Sequence, residues 1–211
     1  MIWILPILLF LTSCSCLSFL GLGSSGGGGY QTYVQQVNPT AFSEVIIPYA
    51  AELTETKRLR FEDSKVYYNE FAERFRVIFS SQVILELCEA RDLMVTVVEE
   101  LLDRMNESPG VVENFDHFPI TADDLELYFS FESYDIEFND GTYICWMSLH
   151  DGLVRYYTGL LKNHRNDYWD ARIEPYYKSL EFVQITRAAG ESLLRKKHMG
   201  KSSLESHVFE L

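Results

Sequence analysis

Apolar positions recur along this chain with two different periods, and the change from one to the other predicts its elements. From Ser64, residues Tyr68, Phe71, Phe75, Ile78 and Phe79 fall at helical spacing, with Glu70, Glu73, Arg74 and Arg76 between them. This predicts an amphipathic helix over 64–79. Val83, Leu87, Ala90, Met94, Val97, Leu101 and Met105 then repeat at steps of three and four, with Glu86, Glu89, Asp92, Glu99, Asp103 and Arg104 on the other side. A second helix is expected there, stopped by Glu107-Ser108-Pro109-Gly110. Both stripes read as core-facing surfaces.

The middle of the chain changes period. LELYFSF (125–131), YDIEF (134–138), TYICWMSL (142–149) and LVRYYTGL (153–160) are rich in aromatic and β-branched residues. Asn139-Asp140-Gly141 and His150-Asp151-Gly152 punctuate them as hairpin turns. Phe129 and Phe131 are odd-numbered whereas Ile136 and Phe138 are even, so a bulge or bend is expected near Glu132-Ser133. A last helix is predicted to open at Glu174-Pro175, since proline suits the first helical position. It carries Phe182, Ile185, Ala189 and Leu193 on one face and closes with Arg195-Lys196-Lys197-His198, cations that complement the helix dipole. Together these predict an α+β fold, an antiparallel meander of three to four strands packed against three or more helices. The expected organisation is one globular domain over 41–199 with a polar, fraying tail at 200–211, and no internal repeat is seen.

The N-terminal part obeys neither period. Its first 43 residues carry no charged side chain, and Ile2 to Leu11 form an apolar run broken only by Pro6. That run is about half the ~20 residues a spanning helix needs and suits the core of a signal peptide. It ends in Leu11-Thr12-Ser13-Cys14, followed by Ser15 and Cys16, and then by the Gly/Ser stretch GLGSSGGGG at 21–29. Leu11-Thr12-Ser13-Cys14 resembles the lipobox of bacterial lipoprotein precursors, although the Lys or Arg usual in the family's leader is absent.

The resemblance covers the first sixteen residues only. It implies that residues 1–13 are a signal peptide removed by signal peptidase II, that Cys14 is the site of lipid attachment, and that 14–40 is a tether. It also implies a chain held at the bacterial cell membrane or outer membrane, with its domain outside the cytoplasm. Ser15 in place of Asp leans towards the outer membrane, and Ser13 three places before Cys16 makes Cys16 a bystander. The alternative is one uncleaved transmembrane helix over Met1–Leu22, which would place Thr12, Ser13 and Ser15 near the bilayer centre. Gly21, Gly23 and Gly26 match a dinucleotide-binding spacing, but no strand precedes them and no helix follows. A flexible coil is the expectation, spanning roughly 25–30 Å over about 25 residues.

The net charge of −13 belongs wholly to Glu44–Leu211. Such acidity disfavours nucleic acid and anionic headgroups, whose binding depends on cations that neutralise phosphate. Between Arg104 and Arg155 lie eleven Asp or Glu and no Lys or Arg, whereas 155–211 holds ten basic against seven acidic residues. The sheet region is therefore expected to be anionic, a surface for a basic protein partner, or simply a face partly neutralised by the C-terminal helix.

Candidate chemistry is sparse. Asp135, Glu137, Asn139 and Asp140 offer oxygens to a hard cation, but Asp140 and Trp146 stand where a calcium loop needs Gly and a bidentate Glu, so no metal or other cofactor is expected beyond the covalent lipid. Alternation places Cys145 away from Trp146, Ser148 and His150, which argues against a nucleophile–base dyad and for a core cysteine. Cys88 is expected to be buried beside the second helix's stripe, and an oxidising compartment permits a Cys88–Cys145 disulfide. His117 beside Asp116 reads as loop. The segment 164–172 (HRNDYWDAR) is read as a loop in which His164, Asp167 and Asp170, with Tyr168 and Trp169, are the best enzyme or ligand candidates. An interaction or structural role for a tethered domain is the leading expectation, with a hydrolase or glycan-binding domain using 164–172 as the alternative.

Overall fold

The computed structural model describes residues 37–131, 140–162 and 165–205, with the side chains of 140–141, 159–170 and 195–205 left aside. Helix α1 (Pro39–Lys57) leads into strands β1 (Arg60–Tyr68) and β2 (Ala72–Ser81). Helix α2 (Leu87–Glu107), a short helix α3 (Pro109–Val112) and a 3₁₀ turn (Ala122–Asp124) follow. The chain then forms β3 (Leu125–Phe131), β4 (Asp140–His150), β5 (Leu153–Lys162) and β6 (Arg165–Pro175), and ends in α4 (Tyr176–Glu205). The fold is mixed α+β, with one six-stranded sheet in the order β1-β2-β3-β4-β5-β6.

β3 to β6 pair antiparallel, but the sheet is mixed and has six strands where an antiparallel meander of three to four is expected. β2 and β3 pair in parallel, with Phe75 opposite Leu125 and Phe79 opposite Phe129. A parallel pair needs a long crossover, and α2 supplies it.

The helix expected over 64–79 is a β-hairpin instead, with Tyr67 opposite Arg74 and Val66 opposite Phe75. The aromatic spacing fits a helix, but Phe75, Val77 and Phe79 also alternate. All three are buried beneath helices, which a strand of period two achieves. β1 is the sheet edge and is mostly exposed or half-buried, so its own pattern is weak. A helix not anticipated by the reading above, α1, starts two residues inside the expected tether. Asn38 caps it by accepting from the Thr40 N–H at 3.1 Å, Pro39 fills the first helical position, and Phe42, Ile46, Tyr49 and Leu53 line its buried face.

The second helix spans Leu87–Glu107 and buries Ala90, Met94, Val97, Leu101 and Met105, and Val83 lies ahead of it. The Asp151-Gly152 turn joins β4 to β5, with φ of 50° and 66° at its two residues. Those angles suit the mirror-image hairpin turns that match strand twist. Asp140 already pairs with Leu160 in β4, so it belongs to a strand and not to a turn. The expected YDIEF strand and the bend at Glu132-Ser133 lie outside the described residues. α4 opens at Tyr176, two residues later than predicted, because Glu174 and Pro175 complete β6. It continues past Gly200 to Glu205.

All the helices' core contacts fall on one face of the sheet. Val77, Phe79, Leu127, Phe129, Met147, Leu149 and Val154 form that face, with Phe42, Tyr49, Met94 and Leu101 above it. A buried polar clamp joins α2, β6 and α4. Arg91 donates two hydrogen bonds to Glu174, Nε to Oε1 at 2.8 Å and Nη2 to Oε2 at 2.7 Å. Glu174 also accepts from Arg172 Nε at 2.8 Å and Ser179 Oγ at 2.7 Å, while Tyr156 Oη sits 3.0 Å from Ser179 Oγ.

Candidate functional site

With the helices on one side, the opposite sheet face carries the side chains of alternate positions, and the register aligns them into rows. One row crosses all six strands as Asp63, Ile78, Tyr128, Ser148, Arg155 and Ile173. The next runs Arg60, Ser80, Ser130, Trp146, Tyr157 and Ala171.

Aromatic rings gather at the centre. Trp146 lies 4.8 Å from Tyr157 and 5.9 Å from Tyr128 between ring centroids, and all three remain half-buried. Arg76 extends this band, with its guanidinium 5.4 Å from the Tyr128 ring and 4.9 Å from the Tyr67 ring. Lys65 stands over Tyr67 from the edge strand. Rings and guanidinium groups packed in this way keep a large apolar area together with polar edges at the surface.

One end of this face is held by a charge cluster. Glu126, only 3% exposed, accepts from Arg74 Nη1 at 2.9 Å and from Arg76 Nε at 2.7 Å. Burial pushes its carboxyl up, but the two arginine hydrogen bonds outweigh it and hold the group below the usual carboxylate range. Arg74 also donates to Asp151 at 2.6 Å. His150 lies between the same two acids, Nδ1 3.2 Å from Glu126 Oε1 and Nε2 3.0 Å from Asp151 Oδ2. Its Nδ1 is buried and off hydrogen-bond alignment with Glu126. Each acid here is already committed to arginine. The cluster therefore fixes charge at the end of the face, beside the rings.

Cys14 and the leader lie outside the described residues, as do Asp135, Glu137, Asn139 and His164. Asp167 and Asp170 belong to strand β6, opposite Leu160 and Thr158, so the expected loop 164–172 is a strand from Arg165 on. A three-residue step in a strand covers about 10 Å, twice the rise of one helical turn, so the spacing alone does not draw these acids together.

Cys145 is half-buried, its thiol donating to the Tyr157 carbonyl at 3.2 Å, with burial pushing its pKa up. A register shift between Ile144 and Trp146 puts Ile144 into the core instead, its N–H bonded to the Leu85 carbonyl at 2.9 Å. Cys88 is exposed, contrary to expectation, and both thiols are free, so the Cys88–Cys145 disulfide is not formed. His117 orders its loop through Asp116 and Asp124 Oδ2, the latter at 3.1 Å. Those hydrogen bonds, Asp116's first, raise its pKa. Among the described residues no group of His, Cys, Asp and Glu has the arrangement of a metal site.

Sequence reasoning missed this surface. Tyr128, Trp146 and Tyr157 do share alternating strand phases, but Tyr67, Arg74 and Arg76 fall in the stretch 64–79 whose spacing predicts a helix. Among the described residues no helix is long and apolar enough to cross a membrane. Compared with known proteins, the chain matches no family model, no curated protein and no solved structure.

Proposed function

We propose that this chain is a membrane-tethered envelope lipoprotein whose domain serves as an interaction module. Lipid on Cys14 is the anchor, and the segment to about residue 40 is the tether. The helix-free face of the sheet docks a partner. The observation that carries this reading is the band Tyr67-Arg76-Tyr128-Trp146-Tyr157, on the sheet face opposite the described helices. Aromatic residues and arginine are enriched where proteins meet partners, because they combine apolar area with directional polar contacts.

The partner proposed is a basic protein. Its Lys or Arg side chains would stack on the Trp146 and Tyr157 rings, beside Arg76, whose charge is already met by Glu126. Two acyl chains give stable anchoring where one is marginal, so a diacylated Cys14 would hold the module at the membrane surface.

The test is the full chain expressed in a bacterial host with labelled fatty acid, followed by intact mass and membrane fractionation. Cys14→Ala is expected to lose the label and leave the membrane fraction, whereas Cys16→Ala keeps both. Equal labelling of the Cys14→Ala chain would overturn the lipoprotein reading.

A further inference from the structure

A cavity of about 410 Å³ opens beside the C-terminal end of α1, bounded by the ends of β1 and β2, the start of α2 and the flank of α4. Leu59, Val83, Leu85, Leu93, Phe131 and Val183 form its walls, and Phe182 stands at the mouth. Its size falls within the range of roughly 300–1,000 Å³ typical of small-molecule sites.

The polar groups around it are nearly all committed. Ser81 Oγ donates to the Arg58 carbonyl, Glu89 Oε2 accepts from the Glu86 N–H, and Thr186 Oγ1 donates to the Phe182 carbonyl. Asp92 Oδ1 accepts from Arg187 Nε at 2.8 Å. Lys57, exposed at the mouth, is the lining cation and makes no ion pair or hydrogen bond among the described residues. With Asp92 paired to Arg187 and Glu89 held at the positive N-terminal end of α2, the apolar wall and the Lys57 ammonium complement a molecule with an apolar chain and one negative end. The burial of each CH₂ of such a chain contributes about 0.8 kcal/mol.

We propose that this cavity binds a single-chain anionic amphiphile, a free fatty acid, with its tail against Leu85, Leu93 and Val183 and its carboxylate at Lys57. The site is separate from the aromatic sheet face and does not depend on the proposed partner.

Cys88, an exposed thiol on the cavity wall, reports occupancy directly. The full chain in phospholipid nanodiscs is treated with iodoacetamide at increasing dodecanoate, and alkylation of the Cys88 peptide is followed by mass spectrometry, with Cys145 as internal control. Dodecanoate is expected to slow Cys88 saturably and leave Cys145 unchanged. Lys57→Glu should weaken this protection roughly three- to tenfold, the scale of one or two exposed charge interactions. Thr186→Trp, at an exposed rim position, should abolish it by filling the cavity. Dodecyltrimethylammonium, with the opposite head charge, should protect more weakly than dodecanoate.

The proposal is overturned if protection does not saturate, if the cationic amphiphile protects equally, or if Lys57→Glu leaves protection unchanged. It is also overturned if Cys88 is already shielded before dodecanoate is added and Cys14→Ala removes that shielding, which would make the chain's own acyl group the occupant. Should Thr186→Trp fail to fold, Lys57→Glu and the head-group comparison decide alone.

Discussion

Arg91 on α2 and Glu174 on β6 meet in a bidentate ion pair across 83 residues of chain, and both are nearly buried, at 5% and 8% exposure. The guanidinium also lies 4.6 Å from the Phe182 ring of α4. Removing one partner leaves the other charge buried alone, which typically costs about 3–5 kcal/mol. Glu174→Gln and Arg91→Met are each expected to destabilise on that scale in urea unfolding. The double variant should lose less than the sum, because neither charge is then orphaned.

The same pair sets an acid limit. Burial pushes the Glu174 carboxyl up, but hydrogen bonds from Arg91, Arg172 and Ser179 outweigh it and bring its pKa down to about 2. A folded pKa below the unfolded value means the unfolded chain binds the proton more readily. The contribution is present above the ordinary carboxylate pKa of about 4.5 and is lost as pH falls from there towards 2. Glu126, also lowered, acts in the same sense. Unfolding midpoints measured between pH 6 and pH 2 should fall steeply below pH 4.5, and less steeply in Glu174→Gln.

His117 works in the opposite direction. Its hydrogen bonds to Asp116 and Asp124 raise its pKa above 6.5, so its contribution is complete below that pH and fades as pH rises through the folded value. In His117→Gln the stability curve above pH 6.5 should be flatter than in the natural chain.

Gly152 closes the β4–β5 turn at φ 66°, and a methyl group added there would meet Asp123 Oδ1 at 2.1 Å. Gly152→Ala is expected to cost more than ~1 kcal/mol from backbone strain and contact combined. Adding Asp123→Ala should recover the contact part and leave the strain, which thermal unfolding of the natural chain, Gly152→Ala and the double variant separates.

Trp146 and Tyr157 pack ring against ring, tilted by 50°, on the sheet face opposite the described helices, so truncating Trp146 removes the centre of the proposed docking surface while leaving the helix-packed core in place. Trp146→Ala is expected to weaken partner binding by at least about 2 kcal/mol, the scale of an interface hot spot. Titration of fluorescein-labelled basic peptides with each chain, followed by fluorescence anisotropy, checks this. Unchanged affinity in Trp146→Ala would move the docking surface elsewhere.

The sequence by itself determined the elements whose signals are local. The three-and-four stripe from Leu87 to Met105 makes α2, the run 125–131 is β3 residue for residue, and Asp151-Gly152 makes its turn because glycine accepts positive φ. Asn38-Pro39 ahead of Phe42, Ile46, Tyr49 and Leu53 was equally legible as a helix start. The tertiary structure alone decided the rest. Phe75, Ile78 and Phe79 fit a helix while Phe75, Val77 and Phe79 fit a strand, and only the pairing of β2 with β3 and the helices above it select the strand. Glu126 finds Arg74 and Arg76, 52 and 50 residues away, because β2 and β3 lie parallel and in register. Which sheet face stays open, and therefore which rings form the candidate site, depends on where the crossover carries α2. That is a long-range choice made by burying the largest apolar area, and no short window of sequence records it.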